Sequence, residues 1–245
     1  MYLIGAGPGN PELMTLAAVR ALGEASVVLV DELVDERCLE FTRGRVIHVG
    51  KRGGCFSTPQ RFIERLMIRL ARGGETVARL KGGDPLIFGR GGEELAALQA
   101  AGIVVQVIPG ITAGLGVAAS LGLPLTLRGV AYGATFICGH SAQAVNWSAL
   151  AAAGTTLVIY MGFGRLRELV GEMLGSGFAG RTPACVVQDG TTEHERAVFA
   201  PLACLAESVR SAGLAAPALI VVGETVNHAA ANLQGAETNY VQRNH

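Results

Sequence analysis

The residues best equipped for chemistry are gathered in one run, RLKGGDPLIFGRGGEE, from Arg79 to Glu94. Glycine at this density lets the backbone approach a bound molecule and adopt positive φ. Lys81, Asp84, Arg90 and Glu93 add charge within the same short loop. A strand-like segment (76–80) precedes the run and an apolar-periodic helix (93–101) follows it, and such strand-to-helix connections are where open α/β sheets place ligands. Plain tight turns also use glycine, so the basic residues matter. Eighteen are arginine and only two are lysine, Lys51 and Lys81, both in glycine-rich loops. A lysine kept against that background offers a compact, titratable ammonium that a guanidinium fork does not.

The elements that must position this loop follow from periodicity and turn chemistry. A short apolar strand (2–4) leads into the loop GAGPGN and a helix reaching Gly23, with Asn10 suited to cap it and Pro11 to its first turn. The next strand (27–30) ends at Asp31. This order also suits a nicotinamide dinucleotide fold. The glycine spacing does not: Gly5 and Gly7 are followed by Asn10, and Pro8 removes a backbone N–H from the turn that would cradle pyrophosphate. A strand (45–49) then runs into Gly50, Lys51 and Arg52, an amphipathic helix spans 59–72, and a strand (103–108) ends at Pro109, Gly110, Ile111, Thr112 and Ala113. Strand and helix patterns alternate again through 134–138, 155–161, 184–188 and 218–222. We read the chain as α/β, with two α/β domains at 1–124 and 125–234 and a polar tail at 235–245.

Composition narrows the function classes. The chain has 245 residues, half of them hydrophobic, and zero formal net charge, which suits compact soluble domains and not a nucleic-acid partner. The uncharged stretch from Leu95 to Leu127 is broken by Pro109, Pro124 and glycines, which makes it core and not a membrane span. The five cysteines are scattered without a C-x-x-C pair, so neither a disulfide framework nor a metal site is expected. The opening residues lack a basic, apolar leader pattern, and a cytoplasmic location is the expectation.

With both halves laid out, the loops resemble those of the tetrapyrrole methylase family, most closely its members acting on uroporphyrinogen III. The similarity lies in the GAGPG loop, Val49-Gly-Lys51, the Arg79–Glu94 run, Pro109-Gly-Ile-Thr112, Pro124 to Arg128, Cys138-Gly-His140, Tyr160-Met-Gly162 and Pro217 to Gly223. The resemblance implies a homodimer whose α/β domains form an active site in the cleft between them. There S-adenosylmethionine would methylate rings A and B of uroporphyrinogen III, giving precorrin-2 and S-adenosylhomocysteine for sirohaem, cobalamin or haem d1. It assigns cofactor contacts to Pro8, Gly82, Gly83, Asp84, Ile87, Thr112, Ala113, Met161 and Cys185. It makes Asp31 the proton acceptor, Lys51 the proton donor, and Arg90 and Glu93 participants in substrate binding and catalysis. A substrate with eight carboxylates calls for arginines that bind oxygen pairs, and Arg52, Arg79, Arg90 and Arg128 are placed for that. A helix cap or a salt-bridge partner is the lesser alternative for Asp31, Glu93 could equally be a first-turn helix acid, and His140 is read as structural. Leu127 stands where the family commonly has His, and Cys185 lies in a segment that departs from the family wording. The alternatives are a methylase of a later corrin intermediate or an NAD-binding oxidoreductase.

Overall fold

The structure is a computed structural model that describes residues 1–50 and 58–233. The expected proton donor Lys51, its neighbour Arg52 and the polar tail at 235–245 lie outside the described residues. The chain divides into two compact units, Met1–Ala113 and Gly114–His245.

In the first unit the strands β1 (Tyr2–Gly5), β2 (Val27–Val30), β3 (Arg45–His48), β4 (Val77–Lys81) and β5 (Gln106–Ile108) form a parallel sheet in the order β3-β2-β4-β1-β5. Helices α1 (Leu16–Glu24), α2 (Gln60–Arg72) and α3 (Gly91–Ala100) cover it. The inner strands β2 and β4 are buried along their whole length, which is why VVLV reads as a continuous apolar run. Alternation along each strand sorts the core into two clusters. Ile4, Val28, Val30, Ala78 and Leu80 pack with Ala18 and Leu22 of α1. Val27, Leu29 and Val77 pack with Ile63, Met67 and Leu98 of α2 and α3. The register pairs Val27 with Val77 and Leu29 with Arg79, so Arg79 and Lys81 follow Val77 onto the α2/α3 face, the face that Asp31 reaches from β2.

One expected cap is displaced. Asn10 accepts the Glu12 N–H at 3.0 Å, but it caps only a short 3-10 turn, Pro11–Leu13. Helix α1 starts beyond it, where the Thr15 hydroxyl accepts the Ala18 N–H at 3.1 Å.

The second unit builds on strands β6 (Ala134–Cys138), β7 (Thr156–Tyr160), β8 (Pro183–Gln188), β9 (Arg196–Pro201) and β10 (Ala218–Val222), ordered β6-β7-β10-β8-β9. Only β6 and β7 pair in parallel; β10 runs antiparallel to both its neighbours, and β8 and β9 are antiparallel. Strand β9 is an addition to the four strands expected in this half at 134–138, 155–161, 184–188 and 218–222. Helix α4 (Ala113–Ser120) opens this unit, because Val117, Leu121 and Leu123 bury their side chains with Val158, Val187 and Val221. Helices α5 (Trp147–Ala153), α6 (Leu166–Gly175) and α7 (Leu202–Ser211) accompany the sheet. The division therefore falls before the body of α4 and not at the expected 124/125. Among the described residues no helix is long and apolar enough to cross a membrane, and the uncharged stretch after Leu95 consists of α3, β5, α4 and their connections.

At the C-terminal ends of β1, β4 and β5 the backbones touch. A Cβ on Gly5 would lie 2.5 Å from Gly110 N, and one on Gly110 would lie 2.8 Å from the Gly5 carbonyl carbon. Alanine at either position must push backbone aside, and a loss of about 1–3 kcal/mol in urea unfolding is expected. Gly92 lies in α3, and a Cβ added there would have nothing within 4 Å. It provides the contrast: Gly92→Ala is expected to stabilise by up to about 1 kcal/mol.

Candidate active site

Glycines let three loops meet at one end of the first sheet. Gly83 N donates to Gly7 O at 2.7 Å, and Gly7 N donates to Gly83 O at 3.2 Å. Gly83 holds a φ of 67°, which a residue without Cβ adopts freely. The Asp84 carboxylate accepts from Leu86 N at 2.8 Å and from Gly110 N at 3.1 Å, so it ties the loop after β4 to the loop after β5. A Cβ on Gly83 would sit 3.8 Å from Thr112 Cα and Ala113 N. Pro8, Gly82, Gly83, Asp84, Thr112 and Ala113, all expected cofactor contacts, are thereby brought to the same sheet end. Ile87 follows in the β4 loop, exposed like its neighbours Leu86 and Phe88. Phe88 and Arg90 both have positive φ, 53° and 58°, a strained backbone of the kind that collects at binding sites. At Gly5 and Gly110 the place of a Cβ is taken by the facing backbone, so these glycines let the three loops close on one another.

Directly behind this cradle lies a cluster of charges. Arg79 is 1% exposed, Lys81 4% and Glu94 0%. Arg79 Nη2 donates to Asp31 Oδ1, and Lys81 Nζ donates to Asp31 Oδ2 at 3.0 Å. The same cations hold Glu94 Oε1, through Arg79 Nε at 3.2 Å and Lys81 Nζ at 3.3 Å, and Gln60 Nε2 adds a third donor at 3.0 Å. Asp31, with its side chain 28% exposed, is the member that reaches the surface. Burial pushes its carboxyl up, but the charges and hydrogen bonds of Arg79 and Lys81 outweigh burial and hold it below the usual carboxylate range. Asp31 is thus an ionised carboxylate at neutral pH, and the salt-bridge partnership left open by the sequence is what the structure displays.

The arginines separate into two kinds. Arg79, expected among loop arginines facing substrate carboxylates, is instead the last-but-two residue of a buried strand, and its guanidinium is consumed by Asp31 and Glu94. Arg90 is exposed and forms a two-pronged pair with Glu93, Nε to Oε1 at 3.0 Å and Nη2 to Oε2 at 2.6 Å. The hydrogen bond from Arg90 is the main cause of the lowered pKa of Glu93. Arg128 is exposed on a turn closed by Leu127 N to Ala131 O at 2.9 Å and forms no ion pair among the described residues.

In the second unit Met161 follows β7 with a φ of 53° and a half-exposed side chain. Its neighbour Tyr160 accepts the Gly114 N–H through its hydroxyl at 2.7 Å, fixing the start of α4. Cys185 is fully buried among apolar residues, and burial pushes its thiol up to about 12. It therefore offers its side chain to the core and no surface to a ligand. Two residues escaped the sequence expectation, Glu94 and Gln60. The signal for Glu94 was its spacing from Leu98, which puts both on the buried side of α3.

Since the folded pKa of Asp31 lies below its ordinary value, its stabilisation is complete above the unfolded pKa, near 4, and disappears as pH falls through the folded value. Asp31→Asn should cost on the order of 3 kcal/mol at pH 7, because it leaves Arg79 and Lys81 short of an anion. In urea unfolding the gap from wild type should shrink as pH is lowered below about 4.

Residues 1–206 match the family model of the Tetrapyrrole (Corrin/Porphyrin) Methylases. The Uroporphyrinogen-III C-methyltransferase of Pseudomonas aeruginosa is 48% identical over 227 residues, covering 91% of this chain and 93% of the relative. The Siroheme synthase of Chromobacterium violaceum is 46% identical over 92% of this chain, which spans 49% of that longer protein. Among solved structures, the Thermus thermophilus uroporphyrin-III C-methyl transferase complexed with S-adenosylhomocysteine superposes with a TM-score of 0.79 at 42% identity, covering 93% of this chain and 98% of that one. A parallel glycine-looped sheet, a second sheet of mixed direction and a match through residue 206 together show that the chain belongs to the tetrapyrrole (corrin/porphyrin) methylases.

Proposed function

We propose that this protein transfers methyl groups from S-adenosylmethionine to carbons on rings A and B of uroporphyrinogen III, giving precorrin-2 and S-adenosylhomocysteine. The observation that carries the proposal is the ionised Asp31 carboxylate beside the glycine cradle, in a chain 48% identical to a uroporphyrinogen-III C-methyltransferase over nearly its whole length. A role in sirohaem or cobalamin synthesis, a homodimer and a cytoplasmic location belong to the same proposal.

When bound, S-adenosylmethionine supplies an electrophilic methyl on a sulfonium. The protein's share is to hold and orient: Pro8, Gly82, Gly83, Asp84, Ile87, Thr112, Ala113 and Met161 are the residues we assign to the donor. Alignment of the two reacting carbons needs little covalent help from the protein and is worth several kcal/mol of barrier. As the pyrrole carbon takes the methyl, the macrocycle becomes cationic. Asp31, anionic and part-exposed, stabilises that charge and accepts the proton whose departure restores a neutral ring. Arg90, Arg128 and Arg52 are assigned to substrate carboxylates, with Lys51 as proton donor. Arg90 must exchange Glu93 for substrate, and both are exposed enough that this exchange is cheap.

Anaerobic incubation of purified protein with uroporphyrinogen III and S-adenosylmethionine, followed by mass spectrometry, is expected to show two added methyl groups. No added methyl, with the donor still bound, would move the substrate to a later corrin intermediate. S-adenosylhomocysteine at a hundredfold excess over its Kd should raise stability by about 2.7 kcal/mol, read as a higher Tm, and NAD should have no effect. The reverse pattern would contradict the proposal.

A further inference from the structure

We infer that Glu94 is a positioning residue for the proposed reaction, sharing Arg79 and Lys81 with Asp31 and so setting how readily the Asp31 carboxylate takes a proton. The inference rests on the methylase reading above and adds to it a residue that never meets the substrate.

Glu94 is fully buried on α3, and three donors from two other elements converge on one of its oxygens: Arg79 Nε, Lys81 Nζ and Gln60 Nε2. Its other oxygen, Oε2, is buried without a hydrogen-bond partner among the described residues. An unsatisfied oxygen on a buried carboxylate is costly, and a cluster shaped only for stability would do as well with apolar residues of the same volume. What the carboxylate does achieve is a division of charge. Both cations that grip Asp31 also grip Glu94. Among the described residues these two cations from β4 are the charged groups paired with Asp31, with Glu94 of α3 and the uncharged Gln60 of α2 behind them. Were Glu94 neutral, Arg79 and Lys81 would give their whole charge to Asp31 and make it a weaker base. Glu94 draws off part of that charge and leaves Asp31 basic enough to accept the ring proton.

Removing the charge of Glu94 and keeping it in a shorter side chain test this. In Glu94→Gln the competing anion is gone, so the acid limb of the kcat profile should move down by about one pH unit. Turnover at neutral pH should fall about tenfold, with KM for S-adenosylmethionine unchanged. Glu94→Asp keeps the charge and should keep the limb near its wild-type position even if turnover drops. A purely structural role would lower turnover without moving the limb. An unmoved limb in Glu94→Gln, or one that moves up, would overturn the inference. If wild-type protein adds no methyl to uroporphyrinogen III, the methylase reading falls and takes the inference with it; if wild type methylates and the variants titrate alike, only the inference falls.

Discussion

Four charged side chains, Asp31, Arg79, Lys81 and Glu94, lose most of their water when the first unit folds, and none could do so alone. Pairing two cations with two anions makes the burial tolerable, and each member is then needed by the others. The cluster also sets positions. It fixes the end of β2 to the end of β4 through Asp31, and it draws α3, and through Gln60 also α2, onto the same face of the sheet. Since the glycine loop starts at the residue after Lys81, the geometry of the loop is inherited from the cluster behind it.

In front of the cluster the demands are of the opposite kind. The loops after β1, β4 and β5 approach so closely that Gly5 and Gly110 leave no room for a Cβ, and Asp84 holds two of these loops together by accepting backbone N–H groups. A rigid backbone surface without side chains thus adjoins a carboxylate whose charge is fixed by buried partners. Methyl transfer asks for that combination: tight orientation of the donor and a preorganised anion where positive charge develops. The exposed Arg90–Glu93 pair contains the cation that we propose changes partners when substrate carboxylates arrive.

Much of this was legible in the residue pattern. The apolar strands of the first unit, the loops between them and the placement of Asp31 at a strand end follow from periodicity and glycine spacing. What stayed hidden depended on contacts distant in sequence. Arg79 looks like a loop arginine until its alternation with Val77 is followed onto the α2/α3 face, where it meets an acid from another strand. Glu94 differs from Glu93 by one position, yet on a helix that step separates a surface pair from a fully buried anion. Thr15 took over the cap that Asn10 seemed to offer, because the chain first closes a separate 3-10 turn. Strand β9 is bounded by Arg196 and Pro201, end residues that mask a short apolar centre, and it is selected by pairing with β8. Helix α4 looked like part of the first domain by order alone, whereas its buried Val117 places it with the second sheet.

The central claim is that the glycine cradle of the first unit holds the methyl donor beside Asp31. Its most direct test is a titration of protein labelled with 15N at glycine with S-adenosylhomocysteine, followed by NMR. The amide signals of Gly82, Gly83 and Gly110 should shift and saturate together at one equivalent, while Gly213, in the turn after α7, stays in place. Binding that leaves Gly82, Gly83 and Gly110 unmoved would contradict the claim and place the donor elsewhere on the chain.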